Sequence, residues 1–226
     1  MIGGSSSIGQ SFLDLNLDEQ FNIYFTQFSN KLKTMPKYEY KNFYLNLALE
    51  STIDSFIEEL KNINFDVIIL LIGKTSGLNF LSPRSSISDY FQTYIRNYCF
   101  LISEIIKSIK RYNVDKAVLI NISSRSVIYG SLDPFYAMSK SAMHTFIKSI
   151  GKSESAILSA YNLVPGLLKN SSMYLEMPST LRVDHDLRAD GKLMTVDEFA
   201  YYLYQFIVED KKGIKETDIK VGPQYL

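Results

Sequence analysis

Short apolar runs that are typical of β-strands alternate with helix-like stretches along most of this chain. The runs occupy 22–26, 43–47, 66–72, 116–122, 159–164 and 218–221. The helix-like stretches fall at about 8–18, 51–61, 87–111, 135–151 and 196–209. This alternation predicts an α/β fold with a doubly wound parallel sheet that is covered by helices on both faces. The core of the third run is apolar throughout, as in a strand that is buried on both sides.

The size and charge of the chain narrow the class of protein. The 226 residues predict a single domain, 1–226, that can bury a sizeable core. Lys plus Arg and Asp plus Glu both number 24, which disfavours nucleic acid or an anionic membrane as the main partner. Cys99 is the only cysteine, so an internal disulfide is excluded. We expect a cytoplasmic enzyme without a membrane span or a metal site.

A glycine- and serine-rich turn lies at the start of the chain. It reads Gly3, Gly4, Ser5, Ser6, Ser7, Ile8 and Gly9, and it leads into a helix-like stretch. Small residues allow a phosphate to approach the backbone, and the N-terminus of a helix offers N–H groups and partial positive charge to it. Such a stretch is also common in flexible tails, so its position before a helix in an alternating β/α chain is what favours a phosphate-binding turn.

The strand that normally precedes such a turn is largely missing. Only Met1 and Ile2 stand before the turn. Either the coding start lies upstream of this sequence, which we favour, or the domain tolerates a short first strand. The first explanation predicts weak stability for the chain as it stands.

A tyrosine and a lysine are spaced for catalysis. Tyr136 and Lys140 are four residues apart in a helix-like stretch, and this spacing puts them on one helix face. A nearby ammonium favours the phenolate and lowers a tyrosine pKa from about 10. Ser123 and Ser124 end the preceding strand, where a hydroxyl can polarise a carbonyl oxygen. With 16 tyrosines in the chain, the spacing alone is weak evidence, and its combination with the serines and the N-terminal turn carries the hypothesis.

Together these motifs resemble the short-chain dehydrogenase/reductase family over nearly the whole chain. The resemblance rests on Gly3, Ser7 and Gly9 in the turn, on the strand end 121–124, on Tyr136 and Lys140, on Pro165 and Gly166, and on Val221 and Gly222. It implies a Rossmann fold and an NAD- or NADP-dependent oxidoreductase that interconverts a carbonyl and a secondary alcohol. It also implies a homodimer or homotetramer.

The resemblance further implies a role for each candidate residue. Tyr136 would be the general acid in reduction, and Lys140 would lower its pKa and hold the nicotinamide ribose. Ser124 or Ser123 would orient the substrate oxygen: the usual Ser-Ser pattern favours Ser124, and the usual spacing to the tyrosine favours Ser123. Asn97 falls where the family carries a proton-relaying asparagine.

Cofactor contacts follow from the same resemblance. The implied set is Gly3, Ser5, Ser6, Ser7, Ile8 and Gly9 in the turn, then Asn46, Gly73, Tyr136, Lys140, Pro165 and Gly166. Ser7 replaces a family glycine, which is tolerable if its φ is negative. Asn46 replaces an aspartate, and only Gly73 survives of the family's Asn-Asn-Ala-Gly.

The choice of cofactor depends on the end of the second strand. An acidic residue there favours NAD, and a basic residue favours the 2′-phosphate of NADP. The chain has no acid at this point, and Lys31 lies close behind it in sequence, so we favour NADP. Lys31 could equally be a solvated loop charge.

The remaining features leave the substrate open. The segment of about 170–194 corresponds to the family's substrate loop and mixes apolar with charged residues. His144 is expected at the surface or at a subunit interface rather than in catalysis. Two alternatives stay open: an NAD(P)-binding relative with a regulatory or structural role, and an epimerase or dehydratase, which the compact length disfavours.

Overall fold

The described part of the chain alternates strands and helices throughout. The computed structural model describes residues 1–15, 21–28, 41–61, 63–111, 116–188, 192–209 and 217–222. Its strands are β1 (Tyr24–Gln27), β2 (Lys41–Tyr44), β3 (Val67–Leu70), β4 (Ala117–Ile122), β5 (Leu158–Pro165) and β6 (Asp218–Val221). Its helices are α1 (Ser7–Leu15), α2 (Glu50–Leu60), α3 (Arg84–Phe91), α4 (Asn97–Arg111), α5 (Ser126–Tyr129), α6 (Pro134–Ser153), α7 (Ser172–Glu176), α8 (Ser179–Arg188) and α9 (Val196–Val208).

The strands form two parallel sheets that the first two residues connect. One sheet has the order β3-β4-β5-β6, and the other pairs β1 with β2. The amide of Thr26 donates to the carbonyl of Met1 at 3.0 Å, and Ile2 exchanges hydrogen bonds with Ile69 and Leu71 on the other side, both at 2.8 Å. The short first strand therefore lies between β1 and β3. Its two residues thus form backbone hydrogen bonds with a strand on each side, as residues of a central strand do.

Helices cover both faces of the sheet. One core lies against α2, α4 and α6 and includes Ile53, Tyr98 and Ile147. The other lies against α1 and α9 and includes Phe12 and Phe199. The predicted doubly wound α/β fold is therefore confirmed. None of the helices in the described part of the chain has both the length and the apolar character that a bilayer crossing requires.

The observed helices differ from the predicted ones in their bounds and in their number. The helix expected over 87–111 begins at Arg84 and contains a π-helical segment, Gln92–Arg96, before α4. The short helices α5, α7 and α8 were not predicted, because each is shorter than a clear helical period requires or lies in polar sequence. Residues 29–40, between the first two strands, lie outside the described residues.

A row of polar side chains crosses the sheet at one level. Strand register places Asn121 on β4 beside Asn162 on β5, and Asn162 beside Asp218 on β6. Asn121 donates to Asn162 at 2.8 Å, and Asn162 donates to Asp218 at 3.3 Å. From α4, the Tyr98 hydroxyl donates to Asn121 at 3.3 Å. Tyr98, Asn121 and Asn162 are at most 1% exposed, so their hydrogen bonds offset the cost of burying polar groups inside the domain.

We predict that breaking this row destabilises the fold. Asn162→Ala leaves the buried amide of Asn121 without its acceptor, and it should lower the free energy of unfolding by about 2–4 kcal/mol. Tyr98→Phe removes only a terminal hydroxyl and should cost about 1 kcal/mol. Urea denaturation followed by circular dichroism measures both values. If both variants lowered the free energy of unfolding by the same amount, this would contradict a continuous row of hydrogen-bonded side chains.

Candidate active site

The candidate catalytic residues meet at the carboxyl edge of the sheet. Gly73 follows β3, Ser124 follows β4, and Gly166 follows β5. The first turns of α6 lie beside these strand ends, because Lys140 on this helix bonds to backbone at the ends of β3 and β4. Ligands of open α/β sheets bind at this edge, so the position fits a functional site.

Helix α6 begins with strong local signals. Asp133 is its N-cap and accepts a hydrogen bond from the backbone N–H of Tyr136 at 2.9 Å, and Pro134 occupies the first helical position. The four-residue spacing then brings Tyr136 and Lys140 onto the helix face that packs against the sheet. They are only 7% and 5% exposed. The structure thus places both side chains on one buried helix face, as the sequence predicts.

The ammonium of Lys140 is held by backbone carbonyls rather than by a carboxylate. Its Nζ donates to the carbonyl of Ile72 at 2.7 Å and to that of Ile122 at 2.9 Å. Gly73 makes this possible, because a Cβ at that position would lie 2.5 Å from Cε of Lys140. Gly73 also has a φ of +154°, which side-chain-bearing residues rarely adopt. The glycine that survives from the family pattern is therefore required for the lysine to reach this position.

Burial shifts the pKa values of both residues of the pair. Burial lowers the pKa of Lys140 from 10.5 to about 8. Burial raises the pKa of Tyr136 above 10, a hydrogen bond with Ser124 lowers it, and the negative charge of Asp133 raises it further. The expected lowering of the tyrosine pKa by Lys140 is absent here, since burial is the largest effect. Tyr136 is therefore a protonated phenol at neutral pH.

The two adjacent serines point to different partners. Ser124 hydrogen-bonds with the side chain of Tyr136, and its Oγ accepts a bond from the amide of Ser126 at 3.2 Å. Ser123 is 3% exposed, and its Oγ lies 2.9 Å from Nδ1 of His144. Of the two candidates, only Ser124 is thus placed to act together with Tyr136 on one substrate oxygen.

His144 is partly buried on α6, and the expectation of a surface or subunit-interface position stays a prediction. Its side chain is 14% exposed, and its Nε2 lies 3.2 Å from Asp218, which also accepts from Lys148 at 2.6 Å. Ser123, His144 and Asp218 thus form a hydrogen-bonded series joined to the polar row. Because the Ser123 hydroxyl is buried, the series braces the strand end instead of offering a nucleophile.

The N-terminal turn has the close packing that its glycines imply. A Cβ on Gly9 would lie 2.3 Å from the carbonyl oxygen of Gly4, so only glycine fits at the start of α1. Ser7 has an ordinary backbone, since Asn170 is the only non-glycine residue of positive φ in the described ranges. The amide of Gly3 donates to Thr26 at 2.9 Å, which ties the turn to β1. The expectation that serine is tolerable at position 7 is confirmed.

The other turn residues keep the backbone compact. The Ser6 hydroxyl accepts from the amide of Gly9 at 3.2 Å, and the carbonyl of Ser5 accepts from the side chain of Gln10 at 2.7 Å. Ile8 packs against the core that contains α1 and α9. The turn therefore leads directly into the N-terminus of a nine-residue helix.

The remaining candidate residues, apart from Lys31, lie at the β2–α2 connection and at the end of β5. Asn97 is 2% exposed and donates to the carbonyl of Leu47 at 2.7 Å, so its amide is directed to the β2–α2 connection. Asn46 lies in that same connection, and its Oδ1 accepts from the amide of Ala48 at 3.0 Å. Pro165 ends β5 and accepts from the amide of Arg125 at 3.0 Å, beside the serine-bearing strand end. Lys31 lies outside the described residues.

The predicted substrate segment of about 170–194 contains two helices, α7 and α8, up to residue 188. The Tyr174 hydroxyl on α7 donates to Asp186 on α8 at 2.9 Å, and Arg182 lies over the Tyr174 ring at 5.9 Å. At the two ends of the segment, Lys169 and Thr195 form a parallel bridge. The segment therefore returns to the point at which it leaves the sheet edge.

Sequence reasoning missed the part that Asp133 plays. Its carboxylate accepts bonds from the amides of Ser76 and Gly77 as well as from Tyr136. The Asp-Pro pair before an apolar helix is a signal for an N-cap and could have identified the cap. The bonds to the loop after β3 span 57 residues and have no local signal.

We predict a pH signature for the burial of Lys140. The unfolded lysine binds its proton up to about pH 10.5 and the folded one only to about pH 8, so stability rises as pH increases between these values. Relative to Lys140→Met, the wild type should gain up to about 3 kcal/mol across this window. Denaturation curves of the unliganded proteins at several pH values measure it. Lys152→Met, an exposed position on α6, is the control and should show no such trend.

Known proteins resemble this chain in structure but not closely in sequence. No protein-family model matches the chain, and no curated protein does. A structure of actinorhodin polyketide ketoreductase with NADPH superimposes with a TM-score of 0.81 at 14% identity, covering 98% of this chain and 94% of that chain. A short chain dehydrogenase family protein from Francisella tularensis gives 0.80 at 16% identity, covering 99% and 96%. Thermoplasma acidophilum aldohexose dehydrogenase, in ligand-free form, gives 0.77 at 16% identity, covering 99% and 91%.

These similarities extend over nearly the full length of both partners in each pair. At such low identity they bear on the arrangement of the backbone, which agrees with the sheet order and the position of α6 described above. The chain has the Rossmann-type fold of the short-chain dehydrogenase/reductases.

Proposed function

We propose that this chain is an NAD(P)-dependent oxidoreductase that interconverts a carbonyl compound and a secondary alcohol. The observation that carries the proposal is the meeting of the Tyr136 and Ser124 side chains at the sheet edge, with the ammonium of Lys140 buried on the same helix face. A protonated phenol, a second hydroxyl and a cation at one point can bind a carbonyl oxygen and neutralise the charge that develops on it.

The chemistry of reduction divides between the protein and its cofactor. A nicotinamide cofactor, when bound, supplies the hydride that adds to the carbonyl carbon. The Ser124 hydroxyl donates a hydrogen bond to the carbonyl oxygen, and Tyr136 Oη transfers its proton to that oxygen as the C–O π bond breaks. Lys140 then stabilises the phenolate left on Tyr136. The raised pKa of Tyr136 suits this direction, because the group that must give a proton is protonated at neutral pH.

The described residues fit a dinucleotide. The packing of Gly9 against Gly4 brings the turn directly onto the N-terminus of α1, whose N–H groups and partial positive charge suit a pyrophosphate. Gly73 lets Lys140 reach the end of β3. Pro165 and Gly166 complete the edge. We therefore assign the phosphates to the N-terminal turn and the nicotinamide end to Tyr136, Lys140, Gly73 and the Pro-Gly turn.

A second candidate is a nucleotide-binding protein without catalysis. The raised pKa of Tyr136 favours it, since burial is the largest effect on the phenol. The loss of the family asparagines before Gly73 points the same way. Both candidates require dinucleotide binding, and only the first requires Tyr136, so one substitution separates them.

Tyr136→Phe should abolish turnover while leaving cofactor binding nearly intact. Loss of the proton donor should lower kcat by about 10²- to 10⁴-fold. Wild type and variant are compared on a panel of ketones, β-keto thioesters and aldohexoses, by absorbance of the reduced nicotinamide. Tyr201→Phe, an exposed tyrosine on α9, is the control. If the wild type binds NAD(P)H but reduces no member of the panel, the second candidate gains; undiminished turnover in Tyr136→Phe refutes the mechanism.

We also propose a preference for NADP over NAD. The support is that β1 ends at Gln27, that the next residues in sequence, Phe28 and Ser29, are not acidic, and that the basic Lys31 follows. Fluorescence titration should show NADPH binding about tenfold more tightly than NADH. Lys31→Ala should remove that difference, whereas Lys41→Ala on β2 should keep it. Equal or tighter binding of NADH by the wild type would contradict the preference.

Assembly and location stay predictions. Exposed apolar side chains on α4 and α6, Phe100 at 45% and Met138 at 54%, favour association into the expected homodimer or homotetramer. Light scattering of the purified protein gives the number of subunits. Cytoplasmic localisation rests on the sequence alone, and the identity of the substrate stays open.

A further inference from the structure

The loop that follows β3 has lost the side chains that would brace it in the family pattern. Leu70, Leu71 and Ile72 precede Gly73, so no amide side chain is available at these positions. The loop nevertheless supplies the backbone against which Lys140 lies. Residues 73–77, called the 73–77 loop below, must therefore be held by other contacts.

The carboxylate of Asp133 makes the most extensive of these contacts. Its Oδ2 accepts from the amide of Ser76 at 2.6 Å and from that of Gly77 at 3.3 Å. Its Oδ1 accepts from the Ser76 hydroxyl and, at 2.9 Å, from the amide of Tyr136. Four donors on one ionised group are charge-assisted hydrogen bonds, which are stronger than neutral ones. One side chain thus joins the end of the loop to the first turn of α6.

Two further contacts hold the start of the loop to the same helix. The Tyr90 hydroxyl on α3 donates to the carbonyl of Lys74 at 2.8 Å and lies 3.2 Å from the Ser139 hydroxyl on α6. Lys140 binds the carbonyl of Ile72, directly before the loop. All three anchors on α6 fall within 133–140, the turns that carry Tyr136.

We propose that Asp133 is a positioning residue that holds the 73–77 loop and the first turn of α6 in one arrangement, so that Gly73 and Tyr136 border the same reaction space. This inference rests on the proposed oxidoreductase function. In this role the Asp133 carboxylate takes the place of the missing asparagines, and it comes from the opposite side of the site. We call the set of bonds between Asp133 and the loop the Asp133 clamp.

The charge of Asp133 has a second consequence at the tyrosine. The groups beside the Tyr136 phenol are Ser124 from the end of β4, Tyr90 from α3 and Asp133 at the N-cap of α6. Lys140 lies one turn further along α6. Asp133 is the negative charge among them and raises the pKa of Tyr136. Removing that charge moves the tyrosine pKa down, which a purely structural contact would not do.

The test separates the clamp from the helix cap. Asp133→Ser keeps a good N-cap for α6 but is too short to reach the loop, whereas Asp133→Ala loses both functions. Asp89→Ser, at an exposed position of α3, is the matched control. Hydrogen exchange of the unliganded proteins reports on the amides of Ser76 and Gly77, and steady-state kinetics with NADPH reports on positioning.

We expect Asp133→Ser to speed exchange at Ser76 and Gly77 at least tenfold, to lower kcat/KM by about 10- to 100-fold, and to shift the pH profile of reduction to lower pH. Asp89→Ser should match the wild type in all three measurements. Unchanged exchange, or unchanged kinetics with an unchanged pH profile, in Asp133→Ser overturns the inference. A wild-type protein that turns over no carbonyl compound refutes the proposed function instead, and it does so without reference to the variants.

Discussion

The contact between the buried Lys140 ammonium and the carbonyls of Ile72 and Ile122 organises the candidate site. A cation in the interior loses hydration, and the lowered pKa shows that the two carbonyls restore only part of it. The contact fixes α6 against the ends of β3 and β4 at the same time. It also requires a glycine at position 73, because any side chain there would occupy the space of the lysine.

The rest of the structure keeps that contact in place. The polar row through Asn121, Asn162 and Asp218 fixes the relative register of the strands whose ends form the site. His144 extends the row to Ser123, next to the Ser124 that meets Tyr136. On the other side, Asp133 connects the helix to the 73–77 loop. Lys140 and His144 on α6, together with its N-cap Asp133, thus determine the geometry around the Tyr136 phenol.

Local sequence predicted the elements that depend on local physics. The alternation of apolar runs and helices predicted the doubly wound sheet, and the spacing of Tyr136 and Lys140 predicted a shared helix face. The choice between Ser123 and Ser124 was not predictable, because adjacent residues at a strand end diverge according to their tertiary partners. The pKa of Tyr136 was predicted in the wrong direction, since the sequence shows that a lysine is near but not how deeply the phenol is buried.

The sequence by itself determined the order of strands and helices, the N-terminal turn and the shared helix face of Tyr136 and Lys140, because periodicity, small residues and helical spacing act over a few residues. The tertiary structure alone decided which serine faces the tyrosine, that Met1 and Ile2 join the two sheets, and that Asp133 holds a loop 57 residues away. Those outcomes depend on strand register and on the burial of charged groups, which arise only when distant segments pack together.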